Sequence, residues 1–86
     1  MITLGKRLKT LRHNKHITQG DVADYLSIDR STISKYEKDV IHPDANMIKS
    51  LAIFFNVSAD YLIGISDVEK NLAFENLIFI FKILFL

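Results

Sequence analysis

Two stretches, Ile17-Thr18-Gln19-Gly20-Asp21-Val22-Ala23 and Arg30-Ser31-Thr32-Ile33-Ser34-Lys35-Tyr36-Glu37, decide the fold. In the first, Thr18 and Asp21 stand three apart, the spacing of a capping box: the hydroxyl accepts from the third helical amide and the acid answers the cap residue's own amide. A short helix follows, with Val22, Ala23 and Leu26 on its apolar side. In the second stretch Asp29 is a natural N-cap, and the helix running on through Lys38 turns Ile33 and Tyr36 inward. Its other residues are small, polar or basic. Only Ser27 and Ile28 separate the two helices, so the turn between them is tight.

Working outward, Leu4, Leu8 and Leu11 recur at helical spacing from about residue 4 to 14, with Lys6, Arg7, Lys9 and Arg12 filling the other faces. The polar run His13-Asn14-Lys15-His16 ends that helix. Pro43-Asp44 opens a fourth, whose apolar stripe is Met47, Ile48, Leu51, Ala52 and Phe55. Asn56 ends it, Ser58 caps a brief fifth helix holding Tyr61 and Leu62, and Gly64 closes that one. One Pro and three Gly in 86 residues suit helices joined by short turns, and 49% hydrophobic residues suffice for one core. The expected fold is all-α: a five-helix domain over residues 1–65, followed by an apolar segment over 66–86.

Charge is distributed unevenly. Residues 1–42 carry eight Lys/Arg against five Asp/Glu, a net +3, whereas residues 43–86 carry three against five, a net −2. A polyanionic partner would meet the N-terminal half. A helix–tight turn–helix unit, its second helix anchored inside and polar outside, fits the B-DNA major groove, which is about 12 Å wide.

The residues from Leu4 to Gly64 resemble the helix-turn-helix domain of phage Cro and cI repressors and related bacterial (XRE-type) regulators. The resemblance is carried by Leu8 and Leu11-Arg12, by the two opening stretches, by Pro43 and Leu51-Ala52, and by Val57-Ser58-Ala59-Asp60-Tyr61-Leu62-Ile63-Gly64. It implies a lambda-repressor-like fold and a transcriptional regulator, a repressor by analogy, that binds double-stranded DNA as a homodimer on a palindromic operator. By position, Gln19 becomes a phosphate or near-groove contact. Arg30, Ser31 and Lys35 become the base readers, with Thr32 and Ser34 beside them. The chemistry agrees, because Arg and Lys offer donors to guanine O6 and N7 and a hydroxyl can pair with several bases. Lys38, Lys15 and Thr18 are placed for the DNA backbone, where contacts position rather than specify. Similar proteins also pair an Arg of the first helix with the Glu closing the third, which here selects Arg12 and Glu37. One departure stands out: the family usually has Gly after the third helix, where this chain has Asp39. Asp tolerates the left-handed region, so a small strain is expected there rather than another fold.

The run Leu77-Ile78-Phe79-Ile80-Phe81-Lys82-Ile83-Leu84-Phe85-Leu86 is apolar all round apart from one lysine. Ser66-Asp67-Val68-Glu69 reads as a second capping box that starts a sixth helix. As a helix the apolar run rises roughly 15 Å, half of a hydrocarbon core, so it is too short to span a bilayer. Ala73, Leu77, Ile80 and Leu84 form a 4-3-4 seam that could meet a second copy and dimerise the protein. Packing on the chain's own core and attachment to a membrane surface are the alternatives.

Other chemistry is poorly represented. His13 and His16 lie three apart, but no Cys or carboxylate sits near them to complete a metal site. Gly5-Lys6 lacks the glycine-rich loop of a phosphate cradle. No nucleophile–base order or carboxylate pair points to an enzyme, and nothing calls for a cofactor or a small-molecule ligand. With no Cys and a basic N-terminus unlike a secretory signal, the expected location is cytoplasmic. The competing class is a protein-interaction module, such as an antitoxin or adaptor, whose apolar tail binds another protein.

Overall fold

In the computed structural model, which describes residues 2–66, five helices follow one another: α1 (Leu4–Asn14), α2 (Gln19–Leu26), α3 (Arg30–Glu37), α4 (Ala45–Phe55) and α5 (Ala59–Leu62). No strand occurs among the described residues. The segment expected to form a sixth helix, with Ala73, Leu77, Ile80 and Leu84, lies outside them.

The starts of the helices follow their caps. Thr18 and Asp21 make the full capping box on α2: Asp21 N–H donates to Thr18 Oγ1 at 3.0 Å and Thr18 N–H to Asp21 Oδ2 at 2.9 Å. The bond from Thr18 N–H to the charged form holds the Asp21 carboxyl below its ordinary value, with the Thr18 side chain adding to it. Asp44 and Ser58 cap α4 and α5 by accepting from Met47 N–H and Tyr61 N–H. Asp29 occupies the N-cap of α3 as expected but makes no side-chain cap bond; its backbone carbonyl accepts from Thr32 N–H instead.

Four of the five helix stops share a device that avoids glycine, whereas α5 closes in the same way with Gly64 at φ 91°. His16, Ser27, Asp39 and Asn56 all adopt left-handed φ, between 55° and 58°. Each donates its own N–H to a carbonyl three residues back. The next residue, in turn Ile17, Ile28, Val40 and Val57, donates to a carbonyl five back, which is the Schellman closure. The residue after each left-handed one is β-branched and apolar. Ile17 and Ile28 pack against the core and Val57 is buried within it.

The core joins Leu8 and Leu11 of α1, Val22 and Ala23 of α2, Ile33 and Tyr36 of α3, Leu51 and Phe55 of α4, and Leu62 of α5. Helix α3 lies between α2 and α1, so its inner face is fully occupied by packing. Met47 and Ile48, read as part of the α4 stripe, are half-buried at its edge. Arg7, placed by helical spacing among residues of the outer faces, is buried: its guanidinium stacks 4.0 Å above the Tyr61 ring and donates to the Ser66 carbonyl at 3.2 Å. Its long stem lets a cation cover apolar surface between α1 and α5.

Candidate nucleic-acid interface

Helix α3 is anchored on one side and free on the other. Ile33, Tyr36 and Glu37 are buried, while Arg30, Ser31, Lys35 and the C-cap Lys38 are exposed. At about 100° per residue, Ser31, Lys35 and Lys38 fall opposite the Ile33–Tyr36 side and form its outermost stripe. Arg30 and Ser34 flank that stripe on the side facing α2, where they line a shallow cleft of about 280 Å³ together with Gln19 and Ser31. Thr32 sits half-buried on the far edge. The structure therefore gathers Gln19, Arg30, Ser31 and Ser34 in one place, sets Lys35 and Lys38 beside them, and leaves Thr32 apart. Lys15 and Thr18 are exposed in the α1–α2 turn and at the start of α2.

The only acid within α3 is Glu37, and it is withdrawn from the outer face. Arg12 Nε donates to Glu37 Oε2 at 2.6 Å and Arg12 Nη2 to Oε1 at 3.0 Å, a bidentate pair whose side chains are 11% and 2% exposed. Arg12 Nη1 also donates to the Ile17 carbonyl at 3.0 Å, and its Nη2 lies 3.2 Å from His13 Nε2. The hydrogen bond that Arg12 donates to Glu37 raises the Arg12 pKa above its ordinary value, partly opposed by burial, so the guanidinium keeps its charge. The expected pair is present, and it ties α1 to the end of α3.

Gln19 joins the same group, which the sequence did not reveal. Its Nε2 donates to Glu37 Oε1 at 3.1 Å. An ionised carboxylate can only accept, so the amide nitrogen must face Glu37 and the amide carbonyl points elsewhere. One side chain thus lines the cleft and rests on the buried pair.

The outer surface of this unit is cationic and hydroxyl-bearing, with backbone and side chains held from beneath. Such a surface suits phosphates and base edges, not covalent chemistry. It defines a helix-turn-helix module. Residues 5–64 match the family described as the helix-turn-helix domain, and the chain belongs to that family. It is 41% identical over 70 residues to the HTH-type transcriptional regulator ImmR of Bacillus subtilis (strain 168), a match covering 81% of this chain and 55% of ImmR. It is 23% identical over 70 residues to the immunity repressor protein of Bacillus phage phi105, covering 81% of this chain and 49% of that protein. The chain thus spans about half the length of these relatives. Among solved structures, the P22 c2 repressor protein in complex with a synthetic operator superposes with a TM-score of 0.72 at 21% identity, over 77% of this chain and 100% of that one. The fold is therefore the lambda-repressor-like one, and the family is one of helix-turn-helix regulators, not of enzymes.

Proposed function

We propose that the chain is a transcriptional regulator, a repressor, and that it engages double-stranded DNA sequence-specifically through α3. The observation that carries this reading is the outer face of α3: Arg30, Ser31, Lys35 and Lys38 are exposed, and the helix's one acid is buried against Arg12. In this reading Arg30, Ser31 and Lys35 read base edges in the major groove, with Ser34 and Thr32 beside them. Gln19, Thr18, Lys15 and Lys38 hold the DNA backbone. Repression follows the names of relatives such as the phi105 immunity repressor protein.

We further propose that residues 66–86 dimerise the protein through Ala73, Leu77, Ile80 and Leu84. Two recognition helices would then lie about 34 Å apart, one turn of DNA, over a palindromic operator. Selection of bound duplexes from a random-sequence pool tests both halves. A palindrome with fixed half-site spacing is the expected result. A single half-site, with a monomer in ultracentrifugation, would remove the dimer and leave the DNA contact standing. No enrichment at all, with the tail capturing a different protein, would favour the interaction-module reading instead.

A further inference from the structure

Five left-handed turns occur among the described residues, and at three of them the apolar residue that follows packs on the core. At the other two it does not: Ile65, after Gly64, is 75% exposed and Val40, after Asp39, is 66% exposed, so beyond Tyr36 no apolar residue holds the exit of α3 down. The Asp39 carboxylate takes over that task by reaching 34 residues back along the chain. Its Oδ1 accepts from Gly5 N–H at 3.0 Å and its Oδ2 from the Thr3 hydroxyl at 2.6 Å. Thr3 Oγ1 in turn accepts from Lys6 N–H, so one junction satisfies two of the free amides at the start of α1. Helix α1 has no acid in its own first turn, and Asp39 supplies the negative charge its N-terminus favours. The approach is close enough to require glycine: a Cβ on Gly5 would collide with the Tyr36 carbonyl oxygen and lie 2.7 Å from Asp39 Oδ1.

We propose that Asp39 is a positioning residue for DNA recognition, clamping the exit of α3 to the first turn of α1. The proposal rests on the DNA-binding reading above. Glu37 attaches α3 to Arg12, in the third turn of α1, and Asp39 attaches it to Gly5. Along the helix those anchor points are about 10 Å apart. Core packing of Ile33 and Tyr36 seats the inner face of α3, and two polar attachments this far apart on α1 limit the residual tilt that a single one would leave. Arg30 lies at the far end of α3, also about 10 Å from Glu37, so a 10° tilt would carry it by roughly 2 Å. Hydrogen bonds to base edges do not survive such a shift, but contacts between flexible cations and phosphates do. The clamp therefore serves sequence discrimination more than affinity.

The test compares Asp39→Gly, Asp39→Asn and Thr3→Ala in the full chain. Glycine accepts the left-handed turn freely, so Asp39→Gly keeps the fold and loses only the clamp. Asn tolerates the same backbone and keeps an acceptor for Gly5 N–H. Three quantities are read: exchange of the Gly5 amide in the free protein, affinity for the duplex the wild type enriches from a random pool, and affinity for an unrelated duplex of equal length. In Asp39→Gly the Gly5 amide should lose protection and the enriched duplex should bind about tenfold more weakly, the size of one lost base contact. The unrelated duplex should bind as well or better, because a negative charge has been removed. Asp39→Asn should stay within about threefold of wild type, and Thr3→Ala, which deletes one of the two carboxylate bonds, should fall between. Unchanged discrimination in Asp39→Gly, with or without faster Gly5 exchange, would overturn the proposal alone. A wild-type protein that enriches no duplex would overturn the DNA-binding reading and this role with it.

Discussion

Glu37→Ala removes the acceptor from a guanidinium that has almost no access to water. The Arg12 and Glu37 side chains are 11% and 2% exposed, so the usual discount for surface ion pairs does not apply. Deleting one partner of a buried pair costs about 3 to 5 kcal/mol, mostly because the remaining charge is left uncompensated. Arg12 would keep its bond to the Ile17 carbonyl, which argues for the lower end, about 3 kcal/mol. A domain of this size has a total stability of roughly 3 to 10 kcal/mol, so the loss is a large share of it. At about 4 to 8 °C per kcal/mol, the melting temperature should fall by roughly 12 to 24 °C. Circular dichroism melts at 0.1 M and 1 M salt provide the assay. The penalty should persist at 1 M, since salt screens buried pairs little. The double variant Arg12→Met with Glu37→Leu should be less destabilised than Glu37→Ala, because no lone charge remains. A fall of under about 4 °C, or a penalty that disappears in high salt, would refute the argument, since either marks a solvent-exposed pair.

Two further outcomes concern the helix ends. Ser27→Gly should raise stability by about 0.5 to 1 kcal/mol, because a left-handed residue costs about 1 to 2 kcal/mol and glycine's extra unfolded-state freedom returns part of it. Asn56→Gly should change stability much less, since Asn tolerates that region; equal gains at both positions in urea melts would contradict this account of the strain. The second concerns acid. Asp21 has a lowered native pKa, so its stabilising effect is complete above the ordinary carboxylate value and is lost as pH falls through the lowered one. Asp21→Asn should therefore show a shallower loss of stability on the acid side than wild type, measured by urea melts between pH 6 and about pH 2. Identical acid limbs would show that the carboxylate bond to Thr18 is not made in solution.

Most of the fold could be read from the sequence because its signals are local. The leucine spacing of α1, the capping box at Thr18 and the caps Asp44 and Ser58 each act within one helical turn, and the helices begin where those residues place them. The outward residues of α3 follow from the same periodicity. Contacts distant in sequence were harder to see. Asp39 meets Gly5 and Thr3 across more than thirty residues, so the sequence shows only an unusual residue where glycine is common. Gln19 looked like a simple surface contact because its bond to Glu37 exists only once α2 and α3 have packed. Helical spacing puts Arg7 on an outer face because periodicity treats every cation as solvent-facing, while the Tyr61 ring on which its guanidinium stacks arrives from α5. One local signal does mark the stops: the polar–β-branched pairs His16-Ile17, Ser27-Ile28, Asp39-Val40 and Asn56-Val57 stand at four left-handed turns, and Gly64-Ile65 at the fifth.

In the proposed contact the outer face of α3, Arg30 included, reads bases while Lys38 at its C-terminal end holds the backbone. Affinity of the wild type, Arg30→Ala and Lys38→Ala for the enriched duplex and its single-base variants, each measured across a salt series, separates the two roles. Lys38→Ala should weaken all sequences alike and flatten the slope of log affinity against log salt by about one. Arg30→Ala should relax preference at one base pair by about 1 to 3 kcal/mol. Binding that ignores sequence in the wild type, or an Arg30→Ala variant indistinguishable from Lys38→Ala, would contradict the claim.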